Sequence, residues 1–169
     1  GLIDDIPTTS LSNGIQLPLV GMGVGNLQEN VIETMIYEGL GNVQNRLRLI
    51  DTAHASHNEQ QVAHGIISGV QRFQEALNNN NKGTKIQVHV VTKIWYTYLG
   101  YDRTKIAVDE ILNDLKEAMQ HPNIDLKIHL LLHWPQCYDH IAWMDCEREE
   151  RELPPHVQSA GSPPHLDRP

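Results

Sequence analysis

The chain has 169 residues, of which 40% are hydrophobic and 20% are charged, and its formal net charge is −8 at pH 7. These values are typical of one ordinary globular domain with a single core. The acidic balance, without a lysine or arginine cluster, argues against nucleic acid and anionic membranes as partners, and the longest apolar runs are too short to cross a bilayer.

Two cysteines, Cys137 and Cys146, lie toward the C-terminal end and match no thiol motif. We therefore expect no disulfide framework, and a reducing compartment. The start of the sequence shows neither a signal peptide nor a basic amphipathic presequence. The expected protein is soluble and cytoplasmic, or lies inside an organelle after a presequence has been removed.

The first elements in chain order form a hairpin, because Asn13-Gly14 separates two extended runs. Short apolar strands and amphipathic helices then alternate. The strands are predicted at 19–25, 47–53, 85–95 and 125–135, and the helices at 29–41, 58–73 and 101–119.

The last of these helices has the clearest apolar periodicity, and Asp102 is its expected N-cap. Its predicted inward residues are Ile111, Leu112, Leu115, Ala118 and Met119.

The order hairpin-β-α-β-α-β-α-β predicts an α/β fold with right-handed crossovers and a parallel sheet. Residues 1–135 carry this pattern. Residues 136–169 are charged and then rich in proline, serine and glycine, which predicts an irregular tail.

Three polar residues lie at the ends of neighbouring strands: Asp51, Lys93 and His133. In an α/β barrel the functional groups lie where the strands enter the βα loops. We expect Asp51 to hold Lys93 by charge, and Lys93 to favour the anionic form of a nearby acid. His133 would then hydrogen-bond a substrate oxygen. A purely structural Asp51–Lys93 ion pair is the alternative.

The stretches "DTAHASHNE", "VVTKIW" and "LLLHWP" resemble the aldo-keto reductase signatures DTAxxYxNE, TKxW and HWP. The opening "LSNGIQLPLVGMGVG" is similar to the family's hairpin and first strand, so the resemblance covers roughly residues 11–135. It implies half of a (β/α)8 barrel, NADPH-dependent carbonyl reduction and a tetrad of Asp, Tyr, Lys and His.

Ser56 stands where the resemblance places the catalytic tyrosine. An aliphatic hydroxyl is a much weaker acid than a phenol, whose pKa is about 10. Ser56 and Glu59 also fit a capping box, so we favour a helix cap over a proton donor. Substitute donors could come from the loop after the third strand, at Tyr96, Tyr98 or Tyr101.

The family barrel needs about 250 residues, and the resemblance implies that its later strands carry most NADPH contacts. Gly23, Val24 and Asp51 could meet only the nicotinamide end, so we expect this chain alone not to bind NADPH. "GMGVG" lacks the spacing and helix context of a dinucleotide loop. The histidines also show no convincing metal-ligand set, and His129 is predicted to be a hydrogen-bonded interior residue.

Half a barrel leaves two sheet edges open, so we expect a protein partner or self-association to cover them. Two functions follow. The chain is a truncated, catalytically impaired NADPH-dependent carbonyl reductase homologue that acts as a non-catalytic subunit of a larger assembly. Alternatively, it is the N-terminal part of an active aldehyde or ketone oxidoreductase.

Overall fold

The N-terminal hairpin forms as predicted. In the computed structural model, which describes residues 6–77, 84–138 and 140–161, β1 (Thr8–Ser10) pairs antiparallel with β2 (Gln16–Pro18). Gly14 adopts a φ of 83°, which an L side chain rarely tolerates, and the Asn13 side chain accepts a hydrogen bond from the Ile15 amide at 3.2 Å. The Asn-Gly pair thus fixes the turn.

The main sheet has four parallel strands in the order in which they occur in the chain. They are β3 (Met22–Gly23), β4 (Leu49–Asp51), β5 (Ile86–Ile94) and β6 (Ile124–Leu132). This confirms the predicted α/β fold with a partial barrel. The first two strands are much shorter than the sequence suggested.

Helices pack along one face of the sheet and enclose the core. They are α1 (Glu29–Gly41), α2 (Glu59–Ala76), α3 (Tyr101–Asp114) and α4 (Lys116–Gln120). α1 and α2 approach closely at Gly65, where an added Cβ would lie 2.8 Å from the Cβ of Ile36. Only glycine permits this spacing without displacing α1.

The third predicted helix differs in three details. It is interrupted at Leu115, its N-cap is Gly100 with a φ of 100°, and Asp102 lies inside the first turn rather than capping it. Leu112 and Met119, expected to face inward, are 39% and 43% exposed. The helical stripe that faces the core consists of Ala107, Ile111, Leu115 and Ala118. Leu112 and Met119 each follow a residue of this stripe and so lie outside it.

The C-terminal segment is not irregular throughout, contrary to the sequence prediction. It contains α5 (Cys146–Glu152) and α6 (Pro155–Gln158). Asp145 caps α5 by accepting a hydrogen bond from the Arg148 amide, and Val157 is fully buried in the core. The part of 136–161 that the structure describes therefore packs against the half-barrel.

We expected no disulfide framework, yet the structure contains one disulfide. The chain turns back after β6 and brings the Cα atoms of Cys137 and Cys146 to 6.0 Å, and their sulfur atoms form a disulfide. The prediction failed because it relied on thiol motifs, whereas the pairing depends on this turn.

The exposed end of β6 is apolar. Within the described residues the only strand that pairs with β6 is β5, and Leu130, Leu131 and Leu132 are 46%, 46% and 62% exposed. No described helix is long and apolar enough to cross a membrane.

A buried ion pair fastens α5 to α3. The Arg103 side chain, 2% exposed, donates to both carboxylate oxygens of Glu150 at 2.8 and 2.6 Å and to the Thr97 carbonyl at 2.9 Å. Two parallel hydrogen bonds from a guanidinium to a carboxylate fix both distance and orientation.

We expect Glu150→Gln to lower the free energy of unfolding by about 3 kcal/mol, because it leaves a buried guanidinium without its counter-ion. Urea denaturation followed by circular dichroism measures the change. The control is Glu152→Gln, since Glu152 is 69% exposed and its removal should cost less than about 0.5 kcal/mol. Equal midpoints for the two variants would contradict the role of this pair.

Candidate functional site

The structure brings the three strand-end residues into one cleft. Asp51 ends β4, Lys93 lies one residue before the end of β5, and His133 directly follows β6. The His133 amide donates to the Ile94 carbonyl at 2.9 Å, which extends the sheet to that residue. All three line an open cleft of about 700 Å³.

Lys93 and Asp51 form a direct ion pair at the base of this cleft. The Lys93 ammonium donates to Asp51 Oδ1 and to the Thr52 carbonyl, each at 2.7 Å. The Lys93 side chain is 20% exposed and that of Asp51 48%. The ammonium is thus held by one charged and one neutral acceptor, while part of the Lys93 side chain remains exposed to the cleft.

His133 lies beside this pair and is biased toward the neutral form. Burial lowers its pKa below the usual 6.5, the positive charge of Lys93 lowers it further, and Asp51 opposes these two effects. The ring meets the Trp95 indole edge-on, with centroids 4.9 Å apart. A neutral imidazole can donate or accept a hydrogen bond at pH 7.

Ser56 lines the same cleft and does not cap α2, contrary to our preferred interpretation. It ends a 3₁₀ turn, His54–Ser56, and His57 follows in the left-handed conformation with a φ of 49°. The helix begins at Glu59 with Asn58 as its N-cap. The intervening bend therefore separates the serine from the helix that it was expected to cap.

Asn58 and Glu59 hold this corner through other bonds. The Asn58 amide donates to the Val24 carbonyl at 3.1 Å and accepts from the Thr52 hydroxyl. The buried Glu59 carboxyl accepts from Thr92 at 2.9 Å, and burial raises its pKa. These contacts join the loops after β3 and β4 to β5 and so position Ser56.

The three tyrosines after β5 are not among the residues that line the cleft. Tyr96 is fully buried, and burial and Glu149 raise its pKa. Tyr98 packs edge-on against His54 at 4.7 Å, and Tyr101 is 84% exposed on α3. In this arrangement none of them takes the place of the missing phenol.

Of the proposed cofactor contacts, Gly23 has open space around its Cα, whereas the Val24 side chain is fully buried. The Val24 amide is also used, because it donates to the Asp51 carbonyl at 2.9 Å. Gly25, which the sequence did not single out, lines the cleft instead.

The cleft does not fit the phosphates of a dinucleotide. Its lining includes one lysine, Lys93, which is already paired, and two carboxylates, Asp51 and Glu149. Several phosphate charges would meet this mixed surface without a basic or glycine-rich cradle. The lining of this cleft suits an uncharged group better than the phosphates of NADPH.

Four residues that line the cleft were not predicted to belong to it: Trp95, Trp134, Trp143, which the sequence placed only in a possible docking patch at 141–144, and Glu149. The indole of Trp95 donates to Glu149 of α5 at 2.6 Å. Trp95 and Trp134 lie within the quoted motifs and could have been found. Trp143 and Glu149 reach the cleft only because the C-terminal segment folds back.

Three further histidines that the structure describes, His54, His89 and His129, have protein partners. His129 and His89 stack with a nitrogen–nitrogen distance of 2.9 Å, so His129 is hydrogen-bonded as predicted, although it is partly rather than fully buried. Burial, then the charges of His129 and Lys127, lower the pKa of His89 to about 4. His54 contacts Glu110 at 2.7 Å. Across the described ranges, no three His, Cys, Asp or Glu side chains are grouped to hold a metal ion.

Comparison with known proteins shows similarity to oxidoreductases. No family model matches the chain. Over 129 residues it is 32% identical to the morphine 6-dehydrogenase of Pseudomonas putida, covering 76% of this chain and 36% of the relative. Over 146 residues it is 26% identical to an NADPH-dependent aldose reductase of Saccharomyces cerevisiae, covering 86% and 37%.

A crystal structure of an aldo/keto reductase from Brucella melitensis matches with a TM-score of 0.53 and 27% identity, over 77% of this chain and 41% of that one. The chain thus spans about two-fifths of the length of these relatives.

We expect Lys93→Met to raise the pKa of His133, because removing a neighbouring positive charge favours the protonated imidazole. Asp51→Asn should lower that pKa further, since it removes the opposing negative charge. Two-dimensional NMR titration of the ring signals, with His133→Gln to assign the resonance, measures both shifts.

Lys105→Met is the matched control, because Lys105 is 64% exposed on α3 and pairs with Asp109. An unchanged His133 titration in Lys93→Met would show that the two side chains are not electrostatically coupled.

Proposed function

The chain is homologous to the N-terminal half of the aldo-keto reductases, and on that premise we propose that it is a catalytically impaired carbonyl reductase homologue. It acts as a non-catalytic subunit of a larger assembly. The observation that supports this proposal is a cleft that keeps the Asp51–Lys93 pair and His133 but has Ser56 where the family has its proton donor.

The surviving groups are suited to binding a carbonyl oxygen. His133, whose pKa is lowered by partial desolvation and by Lys93, donates a hydrogen bond to that oxygen. Lys93 favours negative charge on it, and Asp51 keeps the ammonium in place.

Reduction also requires a proton on the new hydroxyl oxygen, and its donor must lie within hydrogen-bond reach and have a suitable pKa. NADPH, the coenzyme implied by the family, supplies a hydride when bound. Ser56 is a much weaker acid than a phenol and has a shorter side chain. The cleft therefore binds a carbonyl compound without completing its reduction.

The role as a subunit is supported by the apolar end of β6. An unpaired strand edge with adjacent exposed leucines favours association with another chain. Leu130, Leu131 and Leu132 provide such an edge. The partner covers this strand and shields its free backbone groups.

A second candidate function is supported by the retained pair and by the partial coverage of the relatives. If further βα units follow in the full protein, the chain is the N-terminal part of an active NADPH-dependent aldehyde or ketone oxidoreductase. The direct contact of 2.7 Å between Lys93 and Asp51 supports this alternative.

We expect the purified chain to show no saturable NADPH binding in a fluorescence titration and no NADPH oxidation with benzaldehyde. Ser56→Tyr should leave both results unchanged, because a restored phenol does not create a binding site for the phosphates of NADPH. Oxidation by the unaltered chain that is lost in Lys93→Met would overturn the proposal and favour the active enzyme.

We expect the chain to associate in solution through β6. Light scattering should give a mass above the 19.1 kDa of one chain, and Leu131→Lys should shift it toward that value because a charge opposes burial of the edge. Leu19→Lys is the control, since Leu19 is 61% exposed but lies next to the hairpin. A stable monomer of the unaltered chain would contradict self-association.

A further inference from the structure

The C-terminal segment covers one side of the cleft with Trp143. Its indole lies 5.6 Å from Trp134 and 6.3 Å from Trp95, measured between ring centroids, and it is 56% exposed. It lines the cleft together with Lys93 and His133. The position of Trp143 therefore affects how a ligand reaches these two side chains.

The segment that carries Trp143 runs from Cys137 to α5, and its two ends are held in different ways. On one side, α5 is fixed by Glu149, which accepts from Trp95, and by Glu150, which pairs with the buried Arg103. On the other side, Cys137 follows the end of β6. The disulfide to Cys146, the first residue of α5, joins the two sides.

The described residues between the cysteines, 138 and 140–145, are otherwise held by noncovalent contacts. The Tyr138 amide donates to the Met144 sulfur at 3.4 Å, and the Tyr138 ring meets that of Trp134 edge-on, with centroids 6.1 Å apart. Turn hydrogen bonds join Ile141 to Tyr138 and Met144 to Ile141, each at 2.9 Å, and Met144 is buried. These hydrogen bonds join residues within the segment, and noncovalent ring contacts join it to Trp95 and Trp134, which follow β5 and β6. The disulfide is the covalent link that keeps Trp143 against the cleft when α5 is docked.

We propose that the Cys137–Cys146 disulfide is a redox-sensitive latch, and that its reduction frees Trp143 and opens the cleft. Cys137 is partly exposed, whereas Cys146 is buried. A small dithiol therefore attacks the Cys137 sulfur, forming a mixed disulfide and releasing the Cys146 thiolate.

The second thiol of the reductant then displaces Cys137. The products are two protein thiols, after Cys146 takes up a proton, and one cyclic disulfide of the reductant, so the protein gains two electrons and two protons. α5 remains docked through its own contacts, and only the segment that carries Trp143 is released. This inference is independent of the proposed carbonyl chemistry.

Lysine acetylation tests the latch without any catalytic readout. The full chain is prepared in its air-oxidised form, or reduced with dithiothreitol that is removed under anaerobic conditions, and treated with N-hydroxysuccinimide acetate. Peptide mass spectrometry compares Lys93 with the exposed Lys105 on α3. We expect the ratio of Lys93 to Lys105 labelling to rise several-fold on reduction.

Two variants separate the disulfide from the cover. The double change Cys137→Ser and Cys146→Ser should label Lys93 as the reduced chain does, with or without dithiothreitol. Trp143→Ala should label Lys93 rapidly even when oxidised, because the cover is absent.

Equal Lys93 to Lys105 ratios in the oxidised and reduced chain would overturn the latch. Two free thiols in the air-oxidised protein, by thiol titration, would also overturn it. Loss of far-UV circular dichroism on reduction, with faster labelling of every lysine, would show global unfolding and contradict a local opening. Where the double-serine variant does not fold, Trp143→Ala still tests the cover.

Discussion

The parallel pairing of β4, β5 and β6 is the constraint on which the site depends. Nine consecutive residue pairs fix β6 against β5, and three pairs fix β4 against β5. Because side chains alternate between the two faces of a strand, a shift of one residue would turn Lys93 away from Asp51. The 2.7 Å ion pair is therefore a consequence of register.

This register depends in turn on the helices behind the sheet. Apolar side chains such as Val88, Val90 and Ile94 are buried on the helical side of β5, so the alternate residues of that strand face the open side. The corner formed by Asn58, Glu59 and Thr92 adds polar bonds across three elements. Apolar burial sets the face on which the polar groups lie, and these bonds set the positions of the loops.

Much of the fold could be predicted from local signals. Asn13-Gly14 marked the hairpin, and helical periodicity located α1 and α2. The convergence of Asp51, Lys93 and His133 followed from their places at strand ends, since parallel strands place those ends at one edge of the sheet. Their roles in chemistry stay predictions.

What could not be predicted depends on contacts between residues far apart in the chain. The Ser56 cap failed because a left-handed His57 lies between it and the helix, and the fitting S-x-x-E pattern gave no sign of that bend. The disulfide and the docking of α5 depend on the path after Pro135. The bidentate Glu150–Arg103 contact joins residues 47 positions apart, for which charge alone gave no signal.

The open face of β5 and β6 carries a continuous polar network. Gln87 donates to Asp125, Lys127 donates to the same carboxylate, and His89 meets His129. His89 is buried, but Asp125 and Lys127 are 39% and 33% exposed and are compatible with hydration, unlike the leucines at the strand end. A macromolecule that buries the polar face must therefore replace the lost water with hydrogen-bond donors and acceptors of its own. At the leucine edge, burial of the apolar side chains is favourable without such groups.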